Sequence, residues 1–307
     1  MSNFFTIIRK ICDKNNIKFT LLSRDWVIML EKENKHRFIV GYKFELNNHA
    51  VGEICDDKFA LFDVLSSNNI PVVEHNILYS KTNLNYYAIG FNSYDKVKEY
   101  FKEKKKIVIK SNTGTCGSEV YKIDNVEEID NVLDKLLSNN FSISYCPYYS
   151  IQSEYRIIVL DNNIKLMYKK IKPVVIGNGK NTIRELLSTF NEQYFKNKLD
   201  DSKYDRVLKM NEIYEYSWKF NLSRGATISF DIDNKTKVNL TNIVDKVLKT
   251  ISLNFASIDI VEVDNNFLVL EINSGVMMDN LYNMIDNKKI VEDIYEEAIL
   301  DMFKINL

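Results

Sequence analysis

Two apolar runs near the C-terminus constrain the fold of this chain more than any other feature. Residues 258–273 contain the runs Ile-Asp-Ile-Val-Glu-Val and Phe-Leu-Val-Leu-Glu-Ile, which are separated by Asp-Asn-Asn. Apolar runs of this length around a turn signal predict a β-hairpin. If the hairpin is centred on Asn265, Asp259 lies directly opposite Glu271. Asn273 then shares the face of Glu271, because side chains alternate along a strand.

The predicted pairing places two acidic side chains and an amide on one patch of the sheet. Like charges directly opposite each other destabilise a sheet, and a cation between them removes the repulsion. Hard oxygen ligands of this kind suit Mg²⁺. Two interpretations of Asp259, Glu271 and Asn273 therefore stay open at this point: a magnesium site, or a solvated sheet face with scattered acids.

Bulk properties exclude several classes of function. A chain of 307 residues can form one large core or two to three linked lobes, and a formal net charge of −1 argues against a nucleic-acid partner. No uncharged apolar run is long enough to cross a bilayer, and the N-terminus lacks the order of a signal peptide. We therefore expect no membrane partner and a cytoplasmic location. The four cysteines and three histidines are scattered, so the chemistry is expected to use carboxylates, lysines, arginines and metal.

A small-residue loop follows a lysine in the middle of the chain. The run at 106–110 predicts a strand that ends at Lys110, and residues 111–118 read Ser-Asn-Thr-Gly-Thr-Cys-Gly-Ser. Such a loop exposes backbone N–H groups beside a positive charge, which suits phosphate binding better than a plain hairpin loop. It is not a P-loop, because G-x-x-x-x-G-K-[ST] is absent. Lys58, in the first turn of a helix predicted over 56–69, taken alone cannot be distinguished from a surface lysine.

The order of the short motifs is more informative than any one of them. Over about residues 47–280 the motifs are Lys58, Ile70-Pro71, Lys110 with its loop, Glu154-Tyr155-Arg156, Gly177-Asn178-Gly179, Asn-Leu-Ser-Arg-Gly at 221–225, Asp259, and Glu271-Ile272-Asn273. This order resembles the ATP-grasp superfamily, and within it the cyanophycin-synthetase and glutathione-synthetase-like carboxylate–amine ligases.

The resemblance implies an α+β chain with the ATP-grasp fold, in which two α/β lobes clamp a nucleotide. We expect a short N-terminal α/β segment over 1–55, a lid subdomain with the phosphate loop over 56–150, and a C-terminal subdomain with the metal site over 151–307. It also implies ATP as cosubstrate and Mg²⁺ as cofactor, with two ions expected and Mn²⁺ as an alternative.

The resemblance further assigns roles to individual residues. Nucleotide binding falls to Lys58, Lys110, Ser111, Thr113, Gly114, Gly117, Ser118, the hinge residues Tyr145 and Cys146, and the ribose-binding Glu154. The metal ligands are Asp259, Glu271 and Asn273. The substrate carboxylate, the acyl-phosphate and the tetrahedral intermediate fall to Arg156, Lys170 and Arg224. Lys170 stands where an arginine is expected, and a surface lysine beside Lys169 and Lys172 is the alternative interpretation.

The activity implied by the resemblance is ATP-dependent joining of a carboxylate to an amine through an acyl-phosphate, with release of ADP and phosphate. Amino acids or peptides are the expected substrates, and a homodimer is a possible assembly. Two alternatives stay open: a kinase acting on a hydroxyl, and a nucleotide-binding module without catalysis. The sequence carries no readable motif for the substrate itself.

Overall fold

The structure, a computed structural model, describes residues 3–80, 93–114, 119–188 and 202–304. Its helices are α1 (Asn3–Lys14), α2 (His49–Asp56), α3 (Lys58–Ser67), α4 (Tyr94–Lys104), α5 (Ile129–Leu137), α6 (Ile183–Ser188), α7 (Asn234–Thr250), α8 (Asp279–Met284) and α9 (Lys289–Lys304). None of these described helices is both long and apolar enough to cross a membrane.

The strands form four antiparallel sheets. They are β1 (Lys18–Leu22), β2 (Val27–Lys32), β3 (Lys35–Val40), β4 (Lys43–Phe44), β5 (Asn76–Tyr79), β6 (Ile107–Ser111), β7 (Val120–Ile123), β8 (Ser142–Pro147), β9 (Ser153–Leu160), β10 (Asn163–Ile171), β11 (Val174–Ile176), β12 (Ile213–Glu215), β13 (Thr227–Ser229), β14 (Phe255–Val263) and β15 (Asn266–Asn273). With helices and antiparallel sheets, the chain belongs to the α+β class, as predicted.

A five-stranded sheet with the order β13-β10-β9-β14-β15, here called the central sheet, is covered on both faces. Ile158 and Leu160 of β9 pack into one core with α1 and α9. Tyr155, Ile157 and Val159 of the same strand pack into a second core with α2, α3 and α7. This division follows the two-residue period of a strand, and it explains why β9 is apolar at nearly every position.

The N-terminal sheet β1-β2-β3-β4 does not have a core of its own. Phe4 of α1 and Ile28 of β2 belong to the same buried cluster as Phe255 of the central sheet and Tyr295 of α9. The N-terminal segment is therefore packed directly onto the C-terminal part of the chain. The boundaries at 55 and 150 stay predictions.

A second four-stranded sheet, β5-β8-β6-β7, has two different faces and is here called the lid sheet. On one face Ile109 and Ile143 pack with α4 and α5. On the other face Val108 and Cys146 contact Val261 near the turn of the β14–β15 hairpin. The lid sheet thus turns this second face toward the central sheet, and we call the space between them the cleft.

One segment links the two sheets. Val72 forms a parallel bridge with Val269 of β15, and the Val73 amide donates to the Val269 carbonyl at 2.9 Å. Three residues later the chain becomes β5, which pairs with β8 of the lid sheet. His75 therefore lies where the backbone passes from one sheet to the other.

The predicted hairpin at 258–273 is confirmed, with a shorter turn than expected. Asp264 and Asn265 alone form the turn, and both have positive φ (48° and 62°). Asp and Asn tolerate this left-handed conformation better than most residues, and two such residues match the twist of a tight hairpin. Asn266 is already paired with Val263 as the first residue of β15.

A β-bulge sets the pairing of the two acidic residues. The register that starts at the turn continues to the pair Ile260–Val269, and Leu270 is then an extra residue without a partner. Beyond it Asp259 pairs with Glu271, as predicted. Without the bulge Asp259 would face Leu270, and Glu271 would point to the opposite face of the sheet.

Candidate functional site

A row of buried and half-buried polar side chains crosses the central sheet on its cleft side. Tyr168, Arg156, Asp259 and Glu271 are directly paired across β10, β9, β14 and β15. In the next row toward the hairpin turn, Lys170 is paired with Glu154. Residues that are directly paired across an antiparallel sheet point to the same face, so all six side chains project from one side.

Four of these side chains form a continuous network of ion pairs. Arg156 donates from Nε to Oδ1 of Asp259 at 2.7 Å and from Nη2 to Oδ2 at 2.6 Å. The Lys170 ammonium donates to Oδ2 of Asp259 at 2.9 Å and to Oε1 of Glu154 at 2.5 Å. The two cations and two carboxylates sum to zero charge, which is the condition under which such groups can be buried.

Charge partners set the direction of the pKa shift at Asp259 and Lys170, whereas burial sets it at Glu154. Burial opposes ionisation of Asp259, but the charges of Arg156 and Lys170 outweigh it and hold the pKa of this carboxyl well below its usual range. Burial and the repulsion of Arg156 act against the charge of Lys170, yet Asp259 and Glu154 raise its pKa. Burial dominates at Glu154 and raises its pKa.

Lys170 is therefore not a surface lysine. Its side chain is 4% exposed and contacts two carboxylates, so the alternative interpretation left open by the sequence is wrong. It also lines a cavity of about 440 Å³, together with Gln152, Lys169, Lys172 and Phe220 among others. The cavity places Lys170 between the buried network and a space large enough for part of a substrate.

The residues present fit a hard cation only in part. Glu271 and Asn273 lie on the cleft face, and the Asn273 amide makes a long hydrogen bond of 3.3 Å to Glu271 Oε1. Both oxygens of Asp259 accept hydrogen bonds from Arg156 or Lys170, so a cation bound there would share them with these side chains, and the metal role of Asp259 stays a prediction. Within the described ranges, no group of three or more His, Cys, Asp and Glu side chains is placed to hold a metal ion.

Two buried lysines lie at the cleft: Lys110 on β6 of the lid sheet, and Lys58 at the start of α3. Lys58 and Lys110 are 9% and 8% exposed. Lys58 donates from Nζ to the carbonyls of Asn112 at 3.0 Å and Gly114 at 2.7 Å, which ties α3 to the small-residue loop. Burial, and then repulsion by Lys110, lowers the pKa of Lys58 to about 8, while Glu271 acts in the opposite direction. Two buried ammonium groups this close to each other fit a polyanion such as a nucleotide phosphate chain.

The low pKa of Lys58 predicts a pH dependence for anion binding. Below about pH 8 the free chain already carries the proton, so the Mg²⁺-free affinity for ADP is expected to be independent of this group. Above that pH the proton must be taken up on binding, and the affinity is expected to fall by up to about tenfold per pH unit. Titration calorimetry from pH 7 to 10 measures the pH at which the affinity begins to fall, here called the break. The Lys58→Arg variant, which stays charged, should show no break near pH 8.

The other predicted nucleotide-binding residues divide between the two faces of the lid sheet. Ser111 continues β6 by one residue, so its side chain points away from Lys110, and its hydroxyl donates to Asn140 at 2.7 Å. The Tyr145 side chain packs in the core under α4 and α5. Cys146 lies on the cleft face. The structure thus does not bring the Ser111 hydroxyl to the lysines, because strand alternation places it on the opposite face.

The remaining predicted residues occupy the edges of the site. Thr113 is exposed, and a side chain at Gly114 would come within 2.8 Å of Ser111 Cβ, so the loop needs glycine there for space. Gly117 and Ser118 lie outside the described residues. Arg224 lies in the turn before β13, where its carbonyl accepts a hydrogen bond from the Tyr216 hydroxyl at 3.1 Å.

Three buried polar residues of the cleft were not predicted from the sequence: His75, Asn112 and Ser144. Asn112 lies in the predicted phosphate loop but received no role of its own, and a single histidine after a short apolar run gives no local signal. Strand register would have identified Ser144, because it is the direct partner of Lys110.

Comparisons with known proteins support the fold. No family model matches the chain. It is 24% identical over 284 residues to a cyanophycin synthetase of Trichormus variabilis, covering 84% of this chain but only 29% of that relative's length. The D-alanine–D-alanine ligase of Bacillus anthracis aligns with a TM-score of 0.55 at 14% identity, over 86% of this chain and 74% of that one.

A third protein matches nearly end to end. It is a RiPP-associated ATP-grasp ligase of Chryseobacterium gregarium, solved in complex with ADP and a leader and core peptide. It aligns with a TM-score of 0.52 at 12% identity, over 98% of this chain and 93% of that one. The resemblance inferred from the motif order is thus confirmed by sequence and by architecture: this chain has the ATP-grasp fold.

Proposed function

We propose that this chain is an ATP- and Mg²⁺-dependent carboxylate–amine ligase. It activates a carboxylate of an amino acid or peptide as an acyl-phosphate, joins it to an amine, and releases ADP and phosphate. The observation that carries this proposal is the meeting of opposite charges across the cleft. Lys58 donates to the carbonyls of Asn112 and Gly114 in the loop after Lys110, and the charges of both Lys110 and Glu271 act on its pKa.

In this proposal the two sides of the cleft bind different parts of the reactants. Lys58 and Lys110 bind the phosphates, and Arg156 and Lys170 are fixed cations near which negative charge develops on the transferred phosphoryl group and on the later oxyanion. Charges held in place before the reaction stabilise such species without reorganisation. Mg²⁺, held by Glu271 and Asn273, would neutralise phosphate charge when bound. Asp259 keeps the two cations in position.

The adenosine part of the nucleotide is assigned to the hinge after β8. Pairing with β5 ends at Tyr145, whereas pairing with β6 continues to Pro147. The edge of β8 that β5 leaves uncovered beyond Tyr145, including Cys146, can offer backbone groups to a base. Glu154 uses Oε1 for Lys170, so a ribose hydroxyl would have to bind through its other oxygen. Closure of residues 56–150 over residues 151–307 belongs to the same proposal.

A peptide is the substrate class that we favour. The Chryseobacterium ligase, whose structure contains a leader and core peptide, matches this chain over nearly the full length of both proteins. The chain spans only 29% of the cyanophycin synthetase that it resembles, so that enzyme's activity is a weaker guide. The cavity beside Lys170 is lined by two further lysines, Lys169 and Lys172, and by two carboxylates, Glu215 and Asp231, so it suits a substrate that carries groups of both charges, as an amino acid or peptide does.

A trapping assay tests the proposed reaction. The chain is mixed with ATP, Mg²⁺, hydroxylamine and either pooled amino acids or carboxylate-containing peptides, and both hydroxamate and ADP are measured. A ligase forms hydroxamate, because hydroxylamine captures the acyl-phosphate. ADP release with a phosphorylated hydroxyl and no hydroxamate would identify a kinase instead. ADP release that is indifferent to every carboxylate would also contradict the ligase proposal.

A further inference from the structure

Four polar atoms without partners lie buried on the lid side of the cleft. They are Nδ1 and Nε2 of His75, Nδ2 of Asn112 and Oγ of Ser144, and none has a hydrogen-bond partner within the described chain. The three residues are at most 2% exposed. Most buried polar groups in proteins are hydrogen-bonded, so a concentration of exceptions at one place indicates a missing ligand.

The strand register places two of the residues beside Lys110. Ser144 is the direct partner of Lys110 in the β6–β8 pair and of Ile77 in the β5–β8 pair. His75 precedes Ile77 by two residues, so its side chain belongs to the same face of the extended chain. The charges of both Lys110 and Lys58 reach the imidazole, since both act on its pKa.

Asn112 is fixed next to Lys58 by bonds that leave its amide nitrogen free. Its Oδ1 accepts a hydrogen bond from the Phe59 amide at 3.2 Å, at the start of α3. Its carbonyl accepts from Lys58 Nζ. The side-chain orientation is therefore set by Oδ1, and both N–H groups of Nδ2 remain available in the described structure.

The charge state of His75 makes the cluster rich in donors. Burial lowers the pKa of His75 well below its ordinary value, and the two lysines act in the same direction. The imidazole is therefore neutral at pH 7 and offers one N–H. Together with an amide NH₂, a hydroxyl and two ammonium groups, it faces a ligand that must accept several hydrogen bonds and carry negative charge. Phosphate oxygens meet both conditions, and an adenine ring does not.

We propose that His75, Asn112 and Ser144 bind the diphosphate of the nucleotide, completing the site formed by Lys58 and Lys110. This inference rests on the proposed function, because it assigns further residues to the same nucleotide. The neutral imidazole donates to a phosphate oxygen without adding a third positive charge to a buried site. Its position where the chain crosses between the sheets couples phosphate binding to the segment that joins them.

Binding measurements test the assignment independently of catalysis. Titration calorimetry without Mg²⁺ at pH 7.5 compares ADP, inorganic pyrophosphate and adenosine. His75→Phe keeps a ring and removes the N–H, and His49→Phe is the matched control, because the His49 side chain is 90% exposed. His75→Phe is expected to weaken ADP and pyrophosphate by about tenfold or more, and to leave adenosine unchanged. Ser144→Ala, a milder change, is expected to weaken the same two ligands by a smaller factor.

A second measurement needs no variant and therefore does not depend on folding of His75→Phe. In the wild-type chain labelled with ¹⁵N-histidine, the ring nitrogens of the buried His75 should report a neutral imidazole at pH 7. Added pyrophosphate should shift the His75 ring nitrogens and leave those of the exposed His36 and His49 unchanged.

The outcomes separate this inference from the proposed function. Unchanged ADP affinity in His75→Phe, with an unperturbed His75 spectrum, overturns the inference while nucleotide binding stands. An equal loss for adenosine also overturns it, since the effect would then not belong to the phosphates. A wild-type chain that binds none of the three ligands overturns both proposals.

Discussion

Asp259→Asn is expected to lower the free energy of unfolding by about 3–5 kcal/mol, the range found when one partner of a buried ion pair is removed. Asp259 is 1% exposed and holds Arg156 and Lys170 at the same time. An asparagine of the same shape leaves two buried cations with Glu154 as the remaining carboxylate of the network. Urea denaturation followed by circular dichroism measures the change, with the slope as a check that the unfolding stays two-state.

Asp264→Asn is the matched control for this substitution. It makes the same chemical change in the same hairpin, but at an exposed turn residue whose positive φ asparagine also tolerates. Its stability is expected to stay within about 0.5 kcal/mol of the wild type. Equal stability of Asp259→Asn and Asp264→Asn would show that the network does not stabilise the fold.

Acid provides a second measurement of the same network. Because the folded-state pKa of Asp259 is depressed, its stabilising contribution is complete above the unfolded-state pKa of about 3.9 and is lost as the pH falls toward the folded-state pKa. The stability difference between the wild type and Asp259→Asn is therefore expected to be constant from pH 5 to 7 and to shrink below pH 4. A difference that grows in acid would contradict the assignment.

Local patterns in the sequence were sufficient to predict the hairpin. The apolar runs and the turn residues predict two strands, and alternation then determines which residues share a face. The pair Asp259–Glu271 was nevertheless obtained from a three-residue turn that does not exist. The two-residue turn and the bulge at Leu270 shift the register by one residue each, and the two shifts cancel. A bulge has no reliable sequence signal when every residue around it is apolar.

The ion-pair network could not be derived from the sequence. Arg156, Lys170 and Asp259 come from three strands, and only the sheet order β10-β9-β14 makes them neighbours. Motif order suggested that each was functional, but it treated Asp259 as a metal ligand and Lys170 as a doubtful substitute for arginine. Their burial is what pairs them, because an isolated buried charge is too costly to keep.

The position of Ser111 shows a limit of motif reasoning. A small-residue loop was expected to begin directly after Lys110, whereas β6 includes Ser111 as a paired strand residue. One more residue of strand is enough to turn the hydroxyl to the opposite face. Strand ends are decided by long-range pairing, here with Ile143 of β8, which the local sequence does not contain.

Glu271→Gln is expected to reduce turnover in the hydroxamate assay by at least about 100-fold, because a carboxylate that holds a hard cation supplies several kcal/mol through that charge. Glu271 lies on the cleft face opposite Asp259 and carries charge that the Asp259 network does not neutralise. Its charge also opposes the lowering of the Lys58 pKa. In this variant the Mg²⁺-free affinity for ADP should therefore begin to fall at a lower pH than in the wild type.

Glu262→Gln is the control, since Glu262 lies on the other face of the same hairpin and contacts Tyr155. Unchanged turnover in Glu271→Gln would remove this residue from the site. If turnover is lost but the pH at which ADP affinity begins to fall does not change, Glu271 does not lie close to Lys58, and the proposed nucleotide position would be wrong.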